Sequence, residues 1–192
     1  MTKKIFFLLK IFLFYQISIS YVSADLQKNI ADQLSTTETL IFDFNQKIAD
    51  EEEEGNCFIK YPLLMKCSYN NLKGKTIISN GKTVAIIKKK YKKIYLYPIK
   101  STPLSFLLRK EKIINLVKNT KPRKTDPELI EFIFHDKKNN NLKIFFDKDS
   151  LNLKGWETVD SYSNIVIFKI KNLKINKQIV DDFFKIPQEK DL

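Results

Sequence analysis

The residues able to do chemistry are few. The chain holds one histidine, His135, and two cysteines, Cys57 and Cys67. His135 stands between Phe134 and Asp136, so a Ser-His-Asp or Cys-His relay can be drawn on paper. Such a relay needs a nucleophile presented by its own motif, and none accompanies it. There is no glycine-rich phosphate loop and no cluster with metal-ligand spacing. His135 therefore reads as a surface residue at a strand end. No catalytic residue, metal or cofactor is expected, and the chain does not read as an enzyme. The densest carboxylate group is the run Asp50–Glu54, closed by Gly55. Adjacent like charges without a fixed turn make a poor cation cage, so the run is expected to be a solvated hairpin loop rather than a metal site.

The two cysteines point to a bond instead. Cys57–Lys60 and Met65–Tyr69 flank Tyr61-Pro62-Leu63-Leu64, which reads as a hairpin. With the turn centred on Pro62, Cys57 lies opposite Cys67. Facing residues on paired strands can have the Cα separation a disulfide needs. In an oxidising compartment such a pair is expected to be bridged. Two alternatives stand beside it: two small core residues, or a register slipped by one. Metal binding by the pair is disfavoured, because the nearest histidine in sequence is His135.

The compartment is suggested by the N-terminus. Met1–Lys4 is basic, Ile5–Ile19 is apolar but interrupted by Lys10 and Gln16, and Val22-Ser23-Ala24 offers small residues where a signal peptidase reads. Residues 1–24 are expected to be a cleavable secretory signal, with a retained anchor as the alternative. No later segment approaches ~18 consecutive apolar residues. Asp25, not a cysteine, follows the cleavage site, so no lipid anchor is expected there. Residues 25–188 then form one domain, and 189–192 a short polar tail. The net charge of +12 permits nucleic acid, anionic lipid or an acidic partner, and export removes most nucleic-acid readings.

The elements follow from pattern. Leu26, Ile30, Ala31 and Leu34 have helical spacing. Leu40, Phe42 and Phe44 alternate with Ile41, Asp43 and Asn45, a half-buried strand. Asn80-Gly81, between two β-branched runs, predicts a type I′ hairpin. Lys88–Lys93 is a basic turn, which either docks an acidic partner surface or anionic headgroups, or is simply solvated. Thr102-Pro103 reads as an N-cap and first helical residue opening the apolar helix 104–109. Ile113–Val117 is open between helix and strand. Lys121–Asp126 is expected to be a polar loop. Strands then recur at Leu129–His135, Leu142–Phe146, Leu151–Asp160 with a bulge at Gly155, and Ile165–Leu173, with turns at 137–141, 147–150 and 161–164. Short strands separated by turns indicate an antiparallel sandwich or barrel.

The order of these features resembles the periplasmic outer-membrane lipoprotein carriers, the LolA-like proteins, especially their alphaproteobacterial branch. The resemblance runs over nearly all of the exported part. It rests on Phe42-Asp43-Phe44-Asn45-Gln46 (F-x-F-x-Q), Lys60-Tyr61-Pro62 (K-x-P) and the hairpin Ile77–Val84. Its most specific piece is Tyr97 to Leu108, similar to Y-P-x-x-x-T-P-L-x-F-L-L. Gly155-Trp156 through Asp160 and Phe184-Lys185-Ile186-Pro187 match the family's W-x-x-x-D and closing F-x-I-P.

The resemblance implies a mainly β fold with short helices: an unclosed antiparallel β-barrel, with helices over its concave apolar face. It implies a monomeric periplasmic carrier of a Gram-negative bacterium that takes acylated lipoproteins from an inner-membrane transporter to an outer-membrane acceptor, where one exists. An exported lipid- or lipoprotein-sensing module on the same fold is the alternative. The stripe Leu40, Phe42, Phe44, Met65, Ile78, Ile86, Phe132, Phe134, Ile144 and Phe146 would line the acyl cavity, with Leu104, Leu107 and Leu108 as its lid. Without the resemblance the same residues simply fill a closed core. The opposite face also carries apolar residues at Phe145, Val166 and Phe168, which leaves the inward and outward assignments open to a slip of one residue. The family typically carries an arginine where Tyr61 stands, and that arginine is thought to hold the lid. Tyr61 donates one hydrogen bond where arginine donates up to five, so the latch here is weaker or made elsewhere.

Overall fold

The computed structural model describes residues 25–72, 74–135, 141–160 and 162–192. Residues 1–24, expected to be a signal segment, lie outside the described residues, as do Lys73, 136–140 (most of the turn expected at 137–141) and Ser161. Helix α1 occupies residues 25–36 and leads into β1 (Thr39–Ile48). A meander follows: β2 (Glu51–Lys60), β3 (Leu64–Tyr69), β4 (Lys75–Asn80), β5 (Thr83–Lys88) and β6 (Lys93–Pro98). The chain then crosses the sheet through α2 (Leu104–Leu107) and α3 (Lys110–Asn119). It returns by β7 (Arg123–Asp126), β8 (Leu129–His135), β9 (Asn141–Asp147), β10 (Leu153–Val159) and β11 (Ile165–Ile175). β11 pairs with β1, so the two meanders form one 11-stranded sheet ordered β6-β5-β4-β3-β2-β1-β11-β10-β9-β8-β7. Every pairing is antiparallel, and the edges β6 and β7 do not meet. The sheet is an unclosed barrel.

Alternation sends Phe42, Phe44, Ile59, Met65, Ile130, Phe132, Ile144 and Phe146 into one cluster with Ile30 and Leu34 of α1, Leu107 and Leu108 at the end of α2, and Ile113, Leu116 and Val117 of α3. The helices therefore cover the concave face. The i, i+3, i+4 spacing of Ile113, Leu116 and Val117 is what makes the previously open stretch a helix. The convex face carries a smaller cluster, Ile78, Ala85 and Ile87, packed by Ile94, Ile186 and Leu192. The C-terminal turn Asp181–Phe184 rests on β3 and β4. Phe183 meets Phe58 edge-on at 4.8 Å, and Lys66 Nζ lies 4.2 Å from the Phe183 ring centre. Residues 189–192, the short polar tail, lie along this face: Leu192 packs on the cluster, and Glu189 Oε1 accepts the Ile94 N–H at 3.0 Å.

Four local expectations are corrected. Glu51–Glu54 are not a loop but the start of β2, opposite Ile48–Asn45. In a strand, neighbouring carboxylates point to opposite faces, and here they find cross-strand partners: Glu53 with Lys75 and Asn71, Glu54 with Lys171. Only Ala49-Asp50 turns, with Ala49 at φ 50°. The β4–β5 turn is not type I′. Gly81 alone takes positive φ (93°), and Asn80 Oδ1 accepts the N–H groups of Lys82 (3.1 Å) and Thr83 (2.9 Å), an Asx turn that competes with I′ geometry. Thr102 is extended before Pro103, but its hydroxyl donates to Ile99 O (2.9 Å) and caps no helical N–H. Finally, Arg123–Asp126 pairs with β8 as an edge strand.

Cys57 faces Cys67, their Cα atoms are 4.1 Å apart, and their sulfurs are joined. The bridge is buried in the concave core and spans 10 residues. Closing a loop of that length restricts the unfolded chain by about 2–3 kcal/mol. Cys57→Ala with Cys67→Ala is expected to lower the unfolding free energy by about that amount in urea titrations. Equal stability of parent and double variant would remove the bridge from the account of the fold.

Candidate functional site: an apolar concave face under a helical lid

Eight residues of the expected stripe gather on the concave face; Ile86 and Ile78 are not in that cluster. Leu40, Phe42, Phe44, Met65, Phe132, Ile144 and Phe146 are buried on the concave face, and Phe134 packs at its margin. Ile86 pairs with Ile77, which packs against the same cluster. Ile78 does not belong: its neighbour Ile77 takes the inward place, and Ile78 packs on the convex face with Ala85 and Ile87. Phe168, whose face the alternation leaves open, lies on the concave side: it stacks on Trp156 at 4.2 Å and on Phe44 at 4.6 Å. The register Gln46↔Phe168 and Phe44↔Ile170 turns Phe168 inward, and Val166, two residues away, shares its face.

Sequence reading missed Tyr69, Trp156, Ile170 and the inward residues of α3. A usable signal existed for Trp156. It follows Gly155, where the β9–β10 register shifts, and the bulge re-aims the strand beyond it.

The helices fill the concavity themselves. Leu107, Leu108, Ile113 and Val117 are buried in contact with the aromatic floor, and Leu104 packs at its edge. Phe106 lies 4.4 Å from Phe134, ring centre to ring centre. Polar fastenings among the described residues tie the helices to one another and to the sheet's hairpin. The Leu63 N–H donates to Leu108 O at 2.8 Å, tying the end of α2 to the β2–β3 hairpin. Gln27 Nε2 donates to Val117 O (2.6 Å) and Thr120 O (2.9 Å). Lys110 Nζ donates to Ser35 O (2.9 Å) and Thr37 O (3.1 Å). These bonds join α1, α3 and the hairpin tip.

Tyr61 takes no part in that fastening. It is buried, and its hydroxyl has no hydrogen-bond partner among the described residues. Burial, with the Glu111 carboxylate second, raises its pKa well above the ordinary tyrosine value. Tyr69 is raised for the same reason, with Glu53 second, and donates to Gln46 Oε1 at 2.5 Å. An unpaired buried hydroxyl destabilises, so Tyr61→Phe is expected to stabilise by about 1 kcal/mol and raise Tm by roughly 2–4 °C. The folded state holds the phenol neutral past the pH near ~10 where an unfolded tyrosine ionises. Stability is therefore intact below that pH and falls above it, and the margin of Tyr61→Phe over the parent should widen there. A variant less stable than the parent at neutral pH would mean that the hydroxyl is satisfied.

His135 is exposed at the end of β8, away from this core. Among the described residues no three His, Cys, Asp or Glu side chains are grouped to hold a metal. No helix among them is long and apolar enough to cross a membrane. What the site offers is a continuous apolar surface covered by helices of the same chemistry.

Solved structures resemble this fold at low identity. An uncharacterised conserved protein from Thermus thermophilus superposes with TM-score 0.51 at 10% identity, over 86% of this chain and 94% of that one. A DUF1329 family protein from Desulfovibrio piger gives TM-score 0.49 at 12% identity, over 86% and 96%. A LolA superfamily protein from Nitrosomonas europaea gives 0.42 at 8%, over 85% and 98%. No curated protein matches the sequence. The model of one sequence family, outer membrane lipoprotein carrier protein LolA, matches residues 35–187, from the end of α1 to the closing F-x-I-P. With that span matched, the chain belongs to the LolA outer membrane lipoprotein carrier family.

Proposed function

We propose that the protein is a periplasmic carrier, exported by residues 1–24, that shelters the acyl chains of lipoproteins between its sheet and its helical lid. It would receive them at the inner membrane from a releasing transporter and give them up at the outer membrane. The observation that carries this reading is the continuous aromatic and aliphatic concave face, covered by three helices. An acyl chain exposed to water costs about 0.8 kcal/mol per CH₂, so moving lipoproteins between membranes needs such a surface. The lid residues now occupying it are of the same chemistry, so cargo and lid compete for one floor. No bond need form or break, and membership of a carrier family supports binding over catalysis.

The test is co-purification without detergent from a periplasm. A co-expressed lipoprotein is compared with its non-acylated Cys→Ser form. Recovery of the acylated form alone, followed by its transfer to acceptor membranes, is the expected result. Equal recovery of both forms, or of neither, would sink the lipid-binding reading. Acyl-dependent capture without transfer would indicate a sensor.

A further inference from the structure

Two loops at one end of the sheet combine features that the concave site does not use. Leu72, between β3 and β4, is 98% exposed. The β5–β6 loop lies beside that connection: the Lys89 N–H donates to Gly74 O at 3.4 Å, and Lys75 pairs with Lys88. Tyr91 on that loop is 53% exposed. Lys89, Lys90, Lys92 and Lys93 are exposed around it. Among the described residues Lys89, Lys90 and Lys92 have no ion pair, and Lys93 has only Glu189 at 4.0 Å. Behind the loops, the edge strand β6 exposes Tyr95, Leu96 and Tyr97. The chain has no aspartate or glutamate from Gly55 to Lys110, so no acid of its own sequence segment offsets these lysines.

The combination is specific. An exposed leucine, exposed tyrosines and exposed lysines on adjoining loops suit the acyl boundary, the headgroup level and the phosphates of a bilayer. A merely solvated turn needs the lysines but not Leu72 or Tyr91 in water. We propose that this end of the sheet, Leu72 and Tyr91 with Lys89, Lys90, Lys92 and Lys93, is a docking surface for an anionic phospholipid bilayer. The surface lies apart from the concave face, and the inference does not depend on the carrier reading.

The experiment is vesicle flotation of the cargo-free protein recovered from periplasmic extract of cells expressing the full chain. Vesicles of phosphatidylcholine alone are compared with phosphatidylcholine containing about one-third phosphatidylglycerol, a composition chosen for its anionic charge. Binding to the anionic vesicles only, weakened by salt, is expected. Each lysine near such a surface contributes roughly fivefold, so Lys89→Gln, Lys90→Gln and Lys92→Gln together should weaken binding roughly hundredfold. The matched charge control, Lys169→Gln, Lys174→Gln and Lys177→Gln on and beyond β11, should weaken it far less. Leu72→Ser should weaken binding several-fold without changing its salt dependence. Leu72→Trp should show a blue-shifted emission on anionic vesicles. Failure to float, or equal weakening by the control triple, would overturn the proposal. Flotation that ignores Leu72 with no shift at Leu72→Trp would overturn it too, leaving a basic surface suited to an acidic protein.

Discussion

Leu107→Ala is expected to tighten binding of an acylated lipoprotein by roughly thirty- to hundredfold while lowering Tm. Leu107 is buried between α2 and the concave floor. Truncating a buried leucine costs about 2–5 kcal/mol, most of it in the state where the side chain is packed. On the carrier reading that state is the closed one, and in an open, cargo-bound state the floor would face acyl chains instead, so the loss there would be smaller. A net difference of about 2–3 kcal/mol moves the opening equilibrium by the stated factor. Apparent affinity scales with the competent fraction, so the gain appears in full while the closed form dominates. On the same reading the change should slow release, because the lid would return less strongly. Titration with acylated and non-acylated lipoprotein, beside a thermal melt, checks both halves. A lower Tm with unchanged or weaker acyl binding would show that lid and cargo do not compete for one surface.

Gly155→Ala is expected to destabilise the fold by about 4 kcal/mol. A Cβ at this position would stand 2.1 Å from Phe168 O, a backbone atom that cannot rotate away. Its φ of 152° is a conformation L residues rarely adopt. Overpacking contributes about 1–3 kcal/mol and backbone strain a similar amount. The damage should reach the site, since Phe168 and Trp156 stack beside this contact. Gly81→Ala is the contrast: positive φ, but only Leu64 Cδ2 within reach at 3.8 Å. About 1 kcal/mol is expected there. Urea titrations of the two variants compare them, and a Gly155→Ala loss no larger than that of Gly81→Ala would mean that β10 and β11 can separate at low cost.

Local pattern was enough for much of this protein. Strand alternation in Leu40, Phe42 and Phe44, the facing of Cys57 and Cys67 across a hairpin centred near Pro62, and the bulge at Gly155 all follow from period, turn residues and backbone freedom. The run from Tyr97 to Leu108, with its neighbours in order, was enough for the family. Each of these signals lies within one or two adjacent elements, where spacing alone sets geometry.

Tertiary structure decided what depends on distant partners. The glutamates of β2 could be a strand only because Lys75 and Lys171 come from elsewhere in the sheet. The faces of Ile78 and Phe168 turned on register, and a shift of one residue inverts a strand's faces. The position of Tyr61 signalled a missing arginine latch, but not that the Leu63 N–H, Gln27 and Lys110 hold the cover instead. Those bonds end on backbone carbonyls, which every residue possesses, so no pattern of side chains can announce them.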